Sequence, residues 1–359
     1  MEPLTLIIVG TLLALSFDFL NGLNDAANSI ATVVSTRVLS PRVAVLWAAM
    51  FNLIGAFVFG VSVAATIGKG IIDPSIVTPT LILGALVGGI VWTHICTTFG
   101  LPISVSHSLI GGLCGAGFVR GGFDAMVWSG IGKVALFIVL SPIIGMVLGG
   151  LLMVACHWIF RNVTKRKVET LSRKMQLLSS AVFALGHGTN DAQKTMGIIT
   201  VLLFSAGFFT PGFQEQHQLP LWATEILYAG AAPLGDGFPA RIPTWIIASC
   251  TLAIALGTWA GGWKVIRTVG IKLTRLRPIG GFAAETGGGL TVLLASLTGI
   301  PVSTTHTIAG SIAGVGMVTS LGAVRWGVAK HIVWAWVLTI PVSALVGALT
   351  YKLLLWAGI

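Results

Sequence analysis

The sequence predicts an all-α polytopic membrane protein made of two inverted-topology repeats, each with a broken helix and a re-entrant hairpin. Three observations support this prediction: an apolar composition, two motifs that each occur twice in the same order, and basic residues confined to short segments. Hydrophobic residues make up 55% of the 359 residues, charged residues make up 9%, and the mean hydropathy is +0.94. This composition excludes a water-soluble domain, so lipid is the expected solvent.

Apolar runs of about twenty residues recur along the chain, and each is long enough to span a bilayer. Examples are residues 43–67, 80–99, 244–262 and 326–349. The first apolar run follows Met1 and Glu2 without the basic flank of a cleaved signal peptide, so it is predicted to be the first span.

The net charge of +10 does not indicate nucleic-acid binding, because the Lys and Arg residues lie between apolar runs and not on one soluble face. The four cysteines lie in apolar stretches without metal-ligand spacing and are predicted to be buried free thiols: Cys96, Cys114, Cys156 and Cys250. The sequence therefore predicts neither a nucleic-acid partner nor a cysteine metal site.

Two motifs occur twice. Gly-Leu-Asn-Asp-Ala at 22–26 returns as Gly-Thr-Asn-Asp-Ala at 188–192, an offset of 166, and the Pro-x-Ser segment at 100–111 returns at 299–310, an offset of 199. Duplicated motifs in the same order indicate a duplicated unit, and the larger second offset indicates an insertion in the second copy. The predicted organisation is a first repeat at 1–160, a basic linker at 161–174 and a second repeat at 175–359 with an insertion at 208–241.

Basic residues predict the orientation, because loops rich in Lys and Arg remain in the cytoplasm. The basic segments are the loop with Arg37 and Arg42, the linker at 161–174, and residues 264–277. The insertion carries Glu215, Glu225 and Asp236 against Arg241 and is predicted to be external. The two copies then have opposite topology in an inner (plasma) membrane, the N-terminus is external, and the fold is of the type that many secondary transporters use.

The segment between Arg120 and Arg161 decides the rest of the topology. It resembles one long helix interrupted at Pro142, and the crossing count favours two short spans. On that count the first Pro-x-Ser hairpin enters from the cytoplasm and the second from outside.

The candidate cation-coupling residues are acids and amides inside apolar spans, where a lone carboxylate costs roughly 2.5 to 3.5 kcal/mol. They are Asn24, Asp25, Asn28, Asn190, Asp191 and Glu285. Gly22 and Gly188 suggest an unwound turn whose oxygens hold a hard cation such as Na⁺, or whose carboxylate takes a proton. The alternatives are an Asp that only caps a broken helix and an interfacial position for Glu285.

Hydroxyl groups at a half-helix N-terminus suit an oxyanion, because they donate hydrogen bonds without a fixed counter-charge. The candidate anion-binding residues are Ser104, Ser106, Ser303, Thr304, Thr305, Gln193 and Lys194. Ordinary Ser/Thr packing between helices and a snorkelling lysine are the alternatives. His107 and His306 are interpreted as helical hydrogen-bonding residues in preference to catalytic bases or proton carriers.

The repeated Gly-x-Asn-Asp motif and the two hairpin segments resemble the inorganic phosphate transporter (Pit) family of bacterial low-affinity phosphate permease type, over nearly the whole chain. The resemblance implies phosphate symport driven by Na⁺ or H⁺, with the Asn-Asp motifs near the cation and the hairpin hydroxyls near phosphate. Na⁺-coupled members have a Glu where this chain has Asn52. With Asn at that place the chain resembles proton-linked bacterial carriers, which are thought to move a neutral metal-phosphate complex. The resemblance therefore favours H⁺ as the coupling ion and makes Mg²⁺ a candidate co-substrate.

Three alternatives remain open. Some bacterial relatives carry sulfate; inverted repeats with half-membrane segments also form passive channels; and an intramembrane enzyme would use Ser106 and His107. The embedded carboxylates favour a transporter over a pore or an enzyme, and the sequence contains no nucleotide-binding loop. The expected partners are inorganic phosphate, a coupling cation and the lipid bilayer, without an organic cofactor; a homodimer is among the open oligomeric states.

Overall fold

A computed structural model describes residues 3–58, 64, 70–210, 213–217, 219–229, 232–233, 239–300 and 302–359. The predicted all-α class is confirmed, since the two strands described have only two and three residues. The elements before the basic linker are α1 (Pro3–Ser35), α2 (Pro41–Val58), α3 (Pro79–Phe99), α4 (Val105–Gly121) and α5 (Trp128–Ile159). Those after it are α6 (Lys165–Ser205), α7 (Phe213–Gln216), α8 (Leu221–Tyr228), β1 (Ala232–Pro233), β2 (Pro239–Arg241), α9 (Thr244–Ala260), α10 (Trp263–Arg267), α11 (Pro278–Leu297), α12 (Thr304–Thr319) and α13 (Trp326–Trp356).

The helices of the described part include four that are long and apolar enough to cross a membrane, and a fifth if α9 and the segment 263–273, bent by 61°, form one span. Helices α5 and α13 expose apolar side chains along their outer faces, such as Leu136, Val147, Leu151, Val337 and Leu345. These are surfaces that lipid covers. The later part of the apolar run 43–67 lies largely outside the described residues, as do Asp236 in the insertion and Pro301 in the second hairpin motif.

The prediction of a broken helix at each Asn-Asp motif is wrong, because α1 and α6 continue through the motifs without interruption. The motif glycines allow close packing and do not unwind the helix. A Cβ on Gly22 would lie 2.1 Å from the Ile254 carbonyl oxygen, and one on Gly188 would lie 2.4 Å from the Asn52 carbonyl oxygen. The motif carbonyls therefore belong to helices, and a cation must be held mainly by side chains.

The expectation of two short spans between Arg120 and Arg161 is also wrong. Helix α5 is one helix of 32 residues with Pro142 inside it, about 48 Å long at 1.5 Å per residue. Membrane helices tolerate an internal proline when neighbouring helices pack on the freed backbone. Here Pro142 frees the Ile138 carbonyl oxygen, and His306 Nδ1 of α12 lies 3.4 Å from it. Gly310 of α12 allows the close approach, since a Cβ on it would lie 2.1 Å from the Pro142 carbonyl oxygen.

Each Pro-x-Ser segment forms the turn of a helical hairpin, α3–α4 in the first copy and α11–α12 in the second. The base of the first hairpin is closed by hydrogen bonds from Asp73 N to Ala125 O and from Val127 N to Ile71 O. At the base of the second, Arg325 N donates to Leu273 O. Each hairpin therefore begins and ends at one place, and α12 packs on α5 while α4 packs on α13 of the other copy.

The loop with Arg37, the linker and the end of the third basic segment near Arg277 lie at one end of the molecule, whereas Lys264 lies beside the turn of the first hairpin. Arg173 at the start of α6 donates to the Arg37 carbonyl oxygen at 2.9 Å. Arg161 and Arg277 line the same cavity of about 670 Å³. This common location is what the positive-inside rule requires of segments that share a membrane side.

Candidate functional site

Two aspartates from the two Asn-Asp motifs meet in the interior, together with side chains from both hairpin turns. The central cluster is defined by Asp25, Asn28, Ser106, His187, Asp191, Lys194, Thr304 and Thr305. These side chains are buried, with at most 8% of any residue exposed. Helix α1 supplies the first aspartate, α6 supplies the second, and the hairpin helices α4 and α12 supply the hydroxyls.

The threonine hydroxyls of the second hairpin are directed at the carboxylates. Thr304 Oγ1 lies 3.0 Å from Asp191 Oδ2 and 3.3 Å from Asp25 Oδ2, so a single hydroxyl hydrogen faces two carboxylate oxygens. Thr305 Oγ1 lies 3.0 Å from Asp25 Oδ1 and accepts a hydrogen bond of 2.9 Å from Asn28. A hydroxyl has one hydrogen to donate, so the two carboxylates compete for the Thr304 donor.

Lys194 lies entirely in the interior, with 1% of its surface exposed. Its ammonium donates to Asp191 Oδ1 at 2.5 Å, to Ser106 Oγ at 2.6 Å and to the Val302 carbonyl oxygen at 3.0 Å. Three acceptors match the three hydrogens of an ammonium group. A snorkelling role is excluded, and Lys194 is the counter-charge of Asp191.

His187 lies between the two aspartates. Its Nε2 atom is 3.1 Å from Asp191 Oδ2 and 3.8 Å from Asp25 Oδ2, and its Nδ1 atom is 3.3 Å from Asn52 Oδ1. The Asn52 oxygen accepts, since its amide nitrogen donates to Thr258 Oγ1, so the imidazole carries a hydrogen on Nδ1. Nε2 then faces carboxylate oxygens, and this contact is attractive only when a proton or a cation lies between them.

The same three residues offer a place for a metal ion. One ligand atom from each of Asp25, His187 and Asp191 lies within 4.8 Å of the others. Carboxylate oxygens and imidazole nitrogen are ligands that divalent first-row metals accept. Two carboxylates and one ammonium give the central cluster one excess negative charge, so a single added positive charge neutralises it.

The contacts of the cluster repeat between the copies and cross from one copy to the other. Asn28 of the first motif bonds Thr305 of the second hairpin, and Lys194, its equivalent, bonds Ser106 of the first hairpin. Hydrogen bonds to the carbonyl oxygens of the hairpin turns also occur in both copies: the Ile103 oxygen accepts from Thr305, and the Val302 oxygen accepts from Lys194. Each motif is therefore closed by the hairpin of the other copy.

The motif asparagines bond within their own copy. Asn24 donates to Thr97 Oγ1 at 2.8 Å, and Asn190 donates to Ser296 Oγ at 3.0 Å. Thr97 and Ser296 are equivalent residues at the offset of 199. These asparagines connect α1 and α6 to the first helix of each hairpin.

The other predicted anion-binding residues lie near the cluster in different roles. Ser104 and Ser303 are N-caps of α4 and α12, and their hydroxyl oxygens accept from the backbone N–H of His107 and His306. Gln193 is buried on α6. The serine N-caps thus shape the turns, while Ser106 and Thr305, two residues further along, reach the central cluster.

Glu285 is buried in α11, with none of its surface exposed. It accepts hydrogen bonds from Ser179 at 2.5 Å, from Gln176 at 3.1 Å and from Thr32. It lies outside the central cluster, and the helices α1 and α6 connect the two sites, since Thr32 is seven residues beyond Asp25.

His107 and His306 contact each other across the copies, with ring centroids 4.9 Å apart, and His306 stacks on Trp336 at 3.8 Å. Neither imidazole bonds a serine hydroxyl among the described residues, so the geometry of a Ser-His pair is not present there. His306 does have a helical hydrogen bond, from its Nδ1 atom to the Ile138 carbonyl oxygen of α5 at 3.4 Å. The two rings also pack as aromatic groups at the contact between hairpins.

Sequence reasoning did not identify His187 or Asp18. His187 precedes Asp191 by four residues, which places both on one helix face, and that spacing was the available signal. Asp18 precedes Asp25 by seven residues on the same face of α1.

Comparisons with known proteins agree on one group. The profile of a family described as "Phosphate transporter family" matches residues 21–347. A Rhizobium meliloti (strain 1021) protein described as a probable low-affinity inorganic phosphate transporter is 51% identical over 96% of this chain and 96% of its own length. A Bacillus subtilis (strain 168) protein with the same description is 40% identical over 98% and 97%. A solved structure titled "The sodium-dependent phosphate transporter" has a TM-score of 0.81 and 28% identity, covering 98% of this chain and 99% of that one.

Proposed function

Because the chain belongs to the phosphate transporter family, whose members are permeases and not enzymes, we propose that it is a secondary active symporter that imports inorganic phosphate with H⁺. The membrane is the inner (plasma) membrane, and the mechanism is alternating access. The family resemblance inferred from the repeated motifs is confirmed; the coupling ion and the mechanism are the proposal.

One observation carries this proposal: the Thr304 hydroxyl lies between Asp25 and Asp191 at the contact of the two halves. A structural core would pair one hydroxyl with one acceptor, because a second, unsatisfied buried carboxylate oxygen is costly. A shared donor is instead suited to a site in which a positive charge binds and leaves.

Competition for hydroxyl donors supplies the coupling. Thr304 donates either to the aspartates or to a phosphate oxygen, because its hydroxyl has only one hydrogen. Thr305 can do the same when its hydrogen is not donated to the Ile103 carbonyl oxygen. A proton on the carboxylate side weakens the aspartates as acceptors and frees the donors for phosphate. The affinities for the cation and for phosphate then rise together, which is the linkage that a symporter requires.

His187 is the reason for favouring H⁺. Its Nε2 atom faces the Asp191 carboxylate at 3.1 Å, and a proton there forms an imidazolium that cancels the excess negative charge of the cluster. Asn52 holds the ring in this orientation. A divalent cation moving as a metal-phosphate complex would bind the same three side chains as cargo, with phosphate oxygens completing its ligands. Glu285 is a second proton-binding candidate.

The two hairpins are proposed to be re-entrant and to enter from opposite sides, as in inverted repeats. With the basic end in the cytoplasm, α5 connects the base of the first hairpin to the cytoplasmic linker across the membrane. The first hairpin then opens to the outside and the second to the cytoplasm. This reverses the sides expected from two short spans, and the N-terminus remains external.

Uptake of labelled phosphate into proteoliposomes tests the function. We expect accumulation above equilibrium when the outside is acidified, loss of that accumulation when a protonophore collapses the gradient, and competition by unlabelled phosphate well above that by sulfate. An imposed Na⁺ gradient is applied separately, and each gradient is tested with and without Mg²⁺.

Three other outcomes of the uptake experiment would each reject one part of the proposal. Phosphate uptake that stops at equilibrium under every gradient would identify a passive pore. Stronger competition by sulfate would identify a sulfate permease, and accumulation driven by Na⁺ alone would reject H⁺ coupling while keeping symport.

A further inference from the structure

Helices α1 and α6 run antiparallel and are bridged by buried polar side chains at three levels, which we call the polar column. The outer level is Asp18, Asn21 and Thr195; the middle level is Asp25, His187 and Asp191; the inner level is Thr32, Gln176, Ser179 and Glu285. Along α1 the levels are seven residues apart, about 10.5 Å. The inner level lies nearest the basic end, since Thr36 bonds Gln176 and Arg173 bonds Arg37.

Asp18 differs from the other buried acids of the column. Four carboxyl groups are buried among the described residues: Asp18, Asp25, Asp191 and Glu285. The latter three accept at least two hydrogen bonds or an ion pair each. Neither oxygen of Asp18 has a hydrogen-bond donor in good geometry within the described part of the chain, and none of its surface is exposed.

The surroundings of Asp18 are polar but lack positive charge. The side chains of Asn21 and Thr195 lie close enough to interact with its carboxyl group, although no hydrogen bond of good geometry joins them to it, and Asn21 Oδ1 and Thr195 Oγ1 also have no partner in the described part of the chain. The titratable groups that face it are Asp191 and His187 from α6 and Cys250 from α9. A carboxylate at this place would meet the negative charge of Asp191 without a counter-ion in contact.

Protonation of Asp18 removes the unpaired buried charge. The protonated carboxyl carries no charge and has one O–H to donate, for which the Asn21 oxygen is an unoccupied acceptor, while the Thr195 hydroxyl can donate to the other carboxyl oxygen. A metal cation is a poorer fit, because hard divalent cations take about six to eight oxygen ligands and this level offers few.

The carboxyl occurs in only one copy. The offset of 166 pairs Asp18 with Ala184, Asn21 with His187 and Ser29 with Thr195. Packing inherited from the duplication therefore does not require an acid here. The acid lies at the end of the column remote from the basic segments, which is the external end in the proposed orientation.

We propose that Asp18 is a proton-binding site that loads the coupling H⁺ from the external side. An O–H bond forms on the Asp18 carboxylate with a proton from external water, and it breaks when that proton is released to water on the cytoplasmic side after phosphate has left. The carboxylate is regenerated in this step and takes the next proton when the site opens to the outside again. This inference rests on the proposed H⁺ symport and adds the residue that supplies its proton.

The test separates exchange from accumulation in proteoliposomes. Asp18→Asn is a neutral isostere of the protonated form, so phosphate-phosphate exchange is expected to remain within about twofold of wild type. Accumulation driven by an imposed pH gradient is expected to fall at least about tenfold, and the pH dependence of uptake is expected to flatten. Asp124→Asn, at an exposed carboxylate between α4 and α5, is the matched control and is expected to behave as wild type.

Asp18→Asn that accumulates phosphate with the wild-type pH profile would overturn the proposal, as would loss of exchange together with accumulation. If Asp18→Asn is not monodisperse, Asp18→Glu decides: it keeps a titratable group, so gradient-driven uptake with a displaced pH profile is expected, and an unchanged profile overturns the proposal. Wild type is measured in parallel. Failure of wild type to accumulate phosphate under any gradient rejects symport itself, whereas wild-type accumulation by Na⁺ alone rejects H⁺ coupling, and with it the role of Asp18, while keeping symport.

Discussion

Replacing either central aspartate by asparagine is expected to reduce phosphate accumulation in proteoliposomes to the background of protein-free vesicles. Asp25→Asn and Asp191→Asn remove the carboxylates that compete with phosphate for Thr304 and Thr305. The hydroxyls then no longer sense a proton, so the gradient has no effect on phosphate affinity. A loss of at least about 100-fold corresponds to about 2.7 kcal/mol of lost coupling.

The two variants are expected to differ in stability. Asp191→Asn leaves the Lys194 ammonium buried without its counter-charge, and breaking a buried ion pair in this way destabilises by about 3 to 5 kcal/mol. Asp25 has no lysine partner, so Asp25→Asn should unfold near the wild-type temperature in a thermal scan. Glu169→Gln, on the exposed start of α6, is the control. Wild-type accumulation in both aspartate variants would contradict the assignment of the coupling site.

Lys194→Asn is expected to make phosphate transport dependent on an added cation. The substitution gives the second motif the residue that the first motif has at Asn28, and it removes the ammonium that neutralises Asp191. Without Na⁺, phosphate uptake should fall at least about tenfold, because the cluster then holds two carboxylates and no fixed positive charge. Added Na⁺ should restore part of it by binding where the ammonium was.

The measurement is initial phosphate uptake by Lys194→Asn as a function of Na⁺ concentration at constant ionic strength. Lys133→Asn, at an exposed position of α5, controls for loss of a positive charge elsewhere. Lys194→Asn that is as active as wild type in the absence of Na⁺ would show that the lysine is not the internal counter-charge of the cycle.

The features that the sequence could predict are those that repeat or that follow from hydropathy. Apolar runs predicted the helical membrane class, and the two offsets located the motifs that meet in the central cluster. The increase in offset predicted an insertion at 208–241, which stays a prediction, and the described helices α7 and α8 lie in that stretch between α6 and α9. Asp25, Asp191, Lys194 and Thr305 were identified because each has an equivalent at a fixed distance along the chain.

The sequence could not predict features that depend on which helices touch. Gly22 and Gly188 indicate either an unwound turn or a close contact, and only the positions of Ile254 and Asn52 distinguish the two. Pro142 likewise ends a helix in water but is tolerated in a membrane helix against Gly310. The number of helices between Arg120 and Arg161 was therefore misjudged, and the sides proposed for the two hairpins change with it.

The acids and bases without an equivalent in the other copy were the hardest to interpret. Asp18 and His187 have no matching acid or base at the offset of 166, so the repeated motifs do not include them. Their importance comes from burial and from partners on a different helix. Helix periodicity alone places Asp18 on the same helix face as Asp25, and His187 on the same face as Asp191. This periodicity is a weaker signal than a duplicated motif.

The central claim is that proton binding and phosphate binding are linked through the same hydroxyl donors, and calorimetry of phosphate binding measures this linkage without transport. The proton uptake per bound phosphate is obtained from titrations in buffers of different ionisation enthalpy, after subtraction of the ionisation of phosphate itself. The account predicts net proton uptake by wild type, phosphate affinity that rises on acidification, and neither effect in Asp25→Asn. Phosphate binding without proton uptake, and with an affinity that does not change with pH, would contradict it.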